Sequence, residues 1–390
     1  MKNSTPSFPW MTLIVLAIAP FMAIMVELAP TGILGEIETS LLITKQQASR
    51  LISFYALASA FGAIPIVSLT GHLPRKRLLM VILSIYMLAN GLMSVLTNYY
   101  LMLIVRLIGG AFAGAFWPML AAYCIKIVRP SLAGRAVTTV MTGATAGLII
   151  GVPSATYIGE HFGWRFVFVF MSAVALVGLI LIYLFAPQVA GEEPSHETSP
   201  WAIIKEPSVI KVLALTMGSI MAHYAVYVYI LDIIQYTHFS SVSTAQLLHG
   251  VGSALSMIIS GRYADRYLQQ TTFGIVSSGL IALILIYLFP NHLVVLLIAF
   301  VLWGMGYGSL SPLYQATIAR NISKGQAVGN AIQSSAFNFA IMAGTQIGGT
   351  ILYVSNVKGL LIFGIAFLFV TGILVLLFAQ LYTYHSLNEK

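Results

Sequence analysis

The run Trp10-Met-Thr-Leu-Ile-Val-Leu-Ala-Ile-Ala-Pro-Phe-Met-Ala-Ile-Met-Val-Glu-Leu-Ala-Pro-Thr-Gly-Ile-Leu34 decides how the chain is read, because its 25 residues carry one charged side chain, Glu27. At 1.5 Å per residue it is long enough to cross a hydrocarbon core of about 30 Å. An acid inside such a run costs on the order of 2.5–3.5 kcal/mol on insertion scales, which marks it as a functional candidate. Pro30 and Gly32 follow directly, in Met25-Val-Glu-Leu-Ala-Pro-Thr-Gly-Ile-Leu-Gly-Glu36.

The same pattern recurs along all 390 residues, of which 59% are hydrophobic and 8% charged, with a mean hydropathy of +0.92. That composition is an integral membrane protein's. Apolar runs at 10–34, 47–70, 78–97, 99–123, 136–158 and 164–186 are followed by six more at 208–232, 244–263, 272–289, 292–318, 326–354 and 359–382. The predicted fold is all-α, with 12 transmembrane helices in two pseudo-symmetric six-helix bundles, residues 1–186 and 208–390, joined by a polar cytoplasmic linker at 187–207. An offset of 194 residues sets the basic turn at Gly71 beside the one at Asp265 and Glu27 beside Met221, as in a parallel repeat. Such duplications place a substrate site between the halves and move by rocking.

The net charge of +8 reflects topology rather than nucleic-acid binding. With the amino terminus inside, 14 of 19 Lys and Arg fall on cytoplasmic segments, among them Arg75, Lys76, Arg77, Arg262 and Arg266. Lys45, Arg50, Arg165 and Lys358 lie outside, so both termini are expected in the cytoplasm. No cleavage site follows the first apolar run, which is expected to stay as a helix. The single cysteine, Cys124, has no partner for a disulfide or a metal site.

Two turns combine glycine with charge at the cytoplasmic face. One reads Thr70-Gly-His-Leu-Pro-Arg-Lys-Arg77, and the other Gly261-Arg-Tyr-Ala-Asp-Arg266. Gly71, Arg75, Arg77, Gly261, Asp265 and Arg266 can latch one conformation, or can serve orientation alone. In run 4, Arg106, Gly110 and Gly114 share one helical face, and the two glycines make a close-packing surface. Run 5 carries Gly143, Gly147 and Gly151 followed by Pro153, which frees a backbone carbonyl.

These motifs resemble those of the major facilitator superfamily. The two basic turns resemble its G-x-x-x-D-R-x-x-R-R loop, although the first has Gly71 where the family has Asp. Arg106 to Gly114 resembles its fourth-helix signature, and Gly147-Leu-Ile-Ile-Gly-Val-Pro153 resembles the G-x-x-x-G-x-P signature of its antiporters, in which the helix packs where the halves meet. Glu27-Leu-Ala-Pro-Thr-Gly-Ile-Leu34 and His223-Tyr-Ala-Val-Tyr-Val-Tyr229 are similar to the arabinose-efflux-permease type of the twelve-helix drug:proton antiporter branch. The resemblance implies a major facilitator fold and proton-driven export of a small organic solute.

Among eleven acids, only Glu27 lies well inside a run. Glu27 and Arg106 each stand seven residues from the outer ends of their runs, which places both about 10 Å below the outer surface. They are expected to pair, with protonation of Glu27 competing against substrate. A static buried pair or a snorkelling Glu is the alternative. Polar residues at i,i+4 spacing supply a candidate cavity: His223 and Tyr227 on run 7, Tyr307, Ser311 and Gln315 on run 10, and Asn330, Ser334 and Asn338 on run 11. Phe116 and Trp117 could stack on a ring-bearing solute.

Enzyme chemistry is not expected. The chain has no G-x-x-x-x-G-K-[ST] loop for ATP, no soluble stretch large enough for a catalytic domain and no clustered acid/base or metal set. The expected protein is a proton-coupled antiporter of the cell (inner) membrane. It works without a cofactor as a monomer in the lipid bilayer, and its partners are protons and a drug, sugar or purine nucleoside. A facilitator or importer without proton coupling, or a non-transporting sensor, is the alternative.

Overall fold

Local signals at the ends of the apolar runs divide the chain into helices. Asn98 accepts hydrogen bonds from the backbone N–H groups of Tyr100 and Leu101 at 2.9 and 3.2 Å, and Ser241 and Asn356 cap two later helices in the same way. Gly163, at φ +92°, makes the tight turn between the fifth and sixth runs, in a conformation that side-chain-bearing residues rarely adopt.

A computed structural model describes residues 9–70, 72–129, 132–191, 200–322 and 326–382. The first half contains α1 (Trp10–Leu41), α2 (Lys45–Thr70), α3 (Arg75–Val95), α4 (Tyr99–Lys126), α5 (Arg135–Phe162) and α6 (Trp164–Phe185). The second contains α7 (Pro207–Tyr227, extended by Ile230–Thr237), α8 (Val242–Ala264), α9 (Arg266–Leu288), α10 (Leu293–Asn321), α11 (Gln326–Val354) and α12 (Val357–Leu377). Among the described residues, eleven helices are long and apolar enough to cross a membrane. The other, α2, has 26 residues and a length of about 39 Å. The expected all-helical membrane fold is the one observed.

Within the first half, α2 packs on α4, α3 on α6 and α1 on α5; within the second, α7 packs on α11 and α12, and α8 and α9 pack on α10. The halves meet through α2 against α11 and α5 against α8, two pairings related by the repeat, with α1 and α7 touching between them. With twelve helices alternating in direction, the start of α1 and the end of α12 lie on one side. The opposite side is called distal below.

Several helices break their regular ladder. α1 tightens into a 3₁₀ turn at Ala29–Ile33, and α5 widens into a π turn at Gly147–Gly151, directly before Pro153. Proline has no N–H to give back to the preceding turn, and the wider turn takes up the mismatch. α7 is interrupted at Val228–Tyr229, and Tyr267, at φ −131° and ψ 49°, kinks the junction of α8 and α9.

The glycines of α4 act as packing surfaces. A Cβ on Gly110 would strike the backbone carbonyl of Tyr55 on α2, and one on Gly114 that of Ser59. Gly110→Val is therefore expected to destabilise by about 1–3 kcal/mol or more through overpacking. Gly261→Ala, at a site with nothing within 4 Å of a new Cβ, should leave stability unchanged. Thermal unfolding of the two purified variants checks the contrast.

Candidate functional site

Glu27 lies deeper than the sequence suggested. Pro30 and Gly32 do not end the helix. Thr31 Oγ1 donates to the Leu28 carbonyl at 2.7 Å inside the 3₁₀ turn, and helix resumes to Leu41. Glu27 thus stands fourteen residues rather than seven from the distal end of α1, near the middle of a 32-residue run.

Its partner is not the expected one. The half-buried carboxylate accepts a hydrogen bond from Tyr224 Oη of α7 at 2.8 Å, and that hydroxyl lies 3.0 Å from Tyr307 Oη of α10. Arg106 forms no ion pair with Glu27. Its Nε donates to the Leu51 carbonyl at 2.8 Å and its Nη1 to the Val26 carbonyl at 3.0 Å, while the guanidinium lies 4.2 Å over the Tyr55 ring. Backbone carbonyls exposed where α1, α2 and α4 converge solvate this buried cation and hold the three helices together. A small cavity of about 10 Å³, lined by Tyr86 and Arg106, adjoins it.

Rings surround the hydroxyl chain. His223 stacks on Tyr307 at 4.2 Å with an 11° tilt and on Tyr227 at 5.2 Å with a 19° tilt. His249 and Trp303 complete the cluster, 5.3 and 5.8 Å from His223. Both ring nitrogens of His249 and Nε1 of Trp303 are buried without a hydrogen-bond partner among the described residues. A neutral imidazole offers one donor and one acceptor, so the cluster holds unused hydrogen-bonding capacity next to Glu27.

The other cavity candidates separate into groups. Gln315 Nε2 donates to Ser311 Oγ and to Gln333 Oε1, both at 3.3 Å, and Gln333 reaches Thr216 at 3.5 Å, joining α10, α11 and α7. Asn330 keeps a buried Oδ1 with no partner among the described residues. Asn338 donates to the Ser334 carbonyl one turn back, at 2.9 Å, so that amide serves its own helix. Phe116 is fully buried and packs 5.1 Å from the half-buried Trp117 and 6.4 Å from Tyr86. It belongs to the core of the first half rather than to a cavity wall.

The proposed gating residues are equally divided. A Cβ on Gly147 would lie 3.0 Å from the Phe21 carbonyl, and one on Gly151 would lie 2.7 Å from Met25, so this stripe packs on α1 inside its own half. The contact between halves is reversed: a Cβ on Gly250 of α8 would lie 2.5 Å from the Leu148 carbonyl, in the π turn that precedes Pro153. Arg75 is buried, and its backbone N–H donates to the Val189 carbonyl at 2.8 Å. Arg77, Gly261 and Arg266 are exposed, with Arg266 5.2 Å over the Tyr267 ring. Gly71 and the Asp265 side chain lie outside the described residues.

Side-chain hydrogen bonds and the ion pair that cross between halves all fall between the level of Glu27 and the distal end, among the described residues. Gln246 of α8, itself buried, accepts from Thr156 of α5 at 2.5 Å and donates to Thr31 of α1 at 3.3 Å. Gln346 of α11 donates to Ser53 of α2 at 2.6 Å, and Lys45 pairs with Asp232. Gln246, Gln346 and Ser53 escaped the sequence reading because one polar residue in an apolar helix has many uses. Lys45 and Asp232 were each noticeable at the outer ends of runs, but their pairing needs the fold.

This arrangement has relatives. The model of the Major Facilitator Superfamily matches residues 16–345. The structure is similar to that of a mutant form of the nucleoside transporter NupG, with TM-score 0.76 and 11% identity over 96% of this chain and 100% of that one. It is also similar to the human organic anion transporter MFSD10 (TETRAN), with TM-score 0.69 and 16% identity over 95% and 99% of the two chains. At these identities the likeness shows the fold. With twelve helices in two packed halves and a family match over most of its length, the chain belongs to the Major Facilitator Superfamily of transporters.

Proposed function

We propose that this protein exports a small organic solute in exchange for protons, with Glu27 as the proton carrier. The supporting observation is the hydrogen bond from Tyr224 to Glu27, which spans the two halves at the level of the ring cluster. A carboxylate accepts a stronger hydrogen bond than a neutral acid does. Deprotonated Glu27 therefore holds the distal side closed, and the empty carrier stays on one side of its cycle. A solute that competes for Tyr224 or Glu27 releases that hold, as does protonation of Glu27, which leaves only the weaker hydrogen bond of a neutral acid. Transit with either a solute or a proton, but not with neither, is exchange.

The excess of Lys and Arg on the terminal side supports a cytoplasmic location for both chain ends. The distal contacts then close the outer face, and the molecule faces inward in the cell membrane. The solute presents a flat face and a polar edge, matching the rings of His223, Tyr227 and Tyr307 and the amides of Gln315 and Asn330; nucleosides and ring-bearing drugs have that character, and sugars have the polar part.

Counterflow in proteoliposomes, run with labelled nucleosides, sugars and hydrophobic cations and with or without a pH gradient, tests the proposal. The wild type should accelerate under the gradient. Glu27→Gln should keep counterflow and ignore the gradient. A wild type indifferent to the gradient would be a facilitator, and one without counterflow a sensor.

Tyr224→Phe should open the distal side. Loss of a hydrogen bond to a charged group, worth about 1.5–3 kcal/mol, raises the open-to-closed ratio roughly tenfold to a hundredfold. Spin-label distances between exposed Thr39 and Ser240 read the change. The effect should be largest at high pH and fade as Glu27 becomes protonated, when only a neutral hydrogen bond remains to lose.

A further inference from the structure

On the terminal side of the first half, a groove of about 560 Å³ opens between the start of α3 and the end of α6. Lys76 and Arg77 stand at its mouth, with Tyr183 facing them, and Met80, Val81 and Ile85 line its wall. From Arg77 to Ile85 the wall runs about 12 Å along α3, into the membrane. No acid is among the lining residues.

The mouth is prepared for an anion. Lys76 Nζ donates to the Tyr183 carbonyl at 2.8 Å and lies 5.5 Å over its ring, which fixes the ammonium while using one of its three N–H groups. Arg77 is exposed and makes no hydrogen bond or ion pair among the described residues. Two cations at a helix amino terminus oppose the helix dipole, so the helix gains nothing from them. Orientation in the membrane accounts for positive charge on this side, but not for a groove with an apolar wall below that charge.

We propose that this groove seats an anionic phospholipid, its phosphate on Lys76 and Arg77 and one acyl chain along Met80, Val81 and Ile85. Charge complementarity at the mouth and apolar depth below it match the two parts of such a lipid, and basic pockets between helices bind anionic headgroups elsewhere by the same forces. The inference rests on the spanning orientation of α3 and α6 alone, and stands whatever the solute is.

Native mass spectrometry of the full chain, titrated with phosphatidylglycerol or phosphatidylcholine, tests it. The wild type should retain phosphatidylglycerol in preference. The double variant K76Q/R77Q should bind it at least roughly tenfold more weakly, the contribution of two surface cations. The variant R262Q/R266Q, which removes as many charges from the same side of the other half, should bind as the wild type does. Val81→Trp, which fills the groove at an exposed position without altering charge, should also weaken binding. Equal retention of the two lipids, or wild-type binding by K76Q/R77Q, would overturn the proposal. So would loss in K76Q/R77Q with no effect of Val81→Trp and equal competition by glycerol 1-phosphate, which would make the site one for free phosphate.

Discussion

Hydrocarbon offers no hydrogen bonds, so every backbone amide in a membrane span must find its partner within the protein. That constraint explains why the chain is helical nearly throughout and where it departs from regular helix. The 3₁₀ turn of α1, the π turn of α5 and the interruption of α7 face the interface between halves, where other side chains and tight packing stand in for the missing ladder bonds. These irregular segments carry Thr31, which accepts from Gln246 across the interface, and the Leu148 carbonyl, on which Gly250 packs, while Tyr229 donates to the Thr345 carbonyl within its own half at 2.7 Å. The unusual geometry and the machinery of the interface occupy the same residues.

Charge obeys the same constraint in two different ways. Arg106 is solvated by carbonyls of neighbouring helices and by the Tyr55 ring, so it behaves as an internal rivet of the first half. Glu27, one residue beyond the carbonyl that Arg106 holds, turns to the other half instead. A cation that grips the backbone of α1 and an acid bonded to the opposite bundle thus meet neighbouring residues of that helix, Val26 and Glu27. Movement of the second half changes the surroundings of Glu27 while those of Arg106 persist.

Much of this was legible beforehand. The spans, their number and the exceptional character of Glu27 follow from composition and length, because the cost of burying charge does not depend on tertiary detail. The α4 glycines also behaved as their spacing implied. Where the reading went astray, direction was the missing quantity. Glu27 and Arg106 were matched by depth, but a shared depth says nothing about which way a side chain points around the helix, and Arg106 found carbonyls first. The helix of Gly147, Gly151 and Pro153 does pack where the halves meet, but its glycines face α1 while the intervening Leu148 and Ile149 meet α8. Gln246 and Tyr224 gained meaning only from residues 90 and 197 positions away.

The contact of Gly250 with the carbonyl of Leu148 bears on the speed of the cycle. Backbone lies against backbone there, because Gly250 has no side chain to set between α8 and the Leu148 carbonyl of α5. Interdigitated side chains act as ratchet teeth, and passing one row over another requires rotamers to move together. A smooth bearing has no such step. At this one point the halves can slide without a side-chain step, and the resistance nearby comes from polar links such as Gln246 with Thr156 and Thr31, whose strength is set by their chemistry.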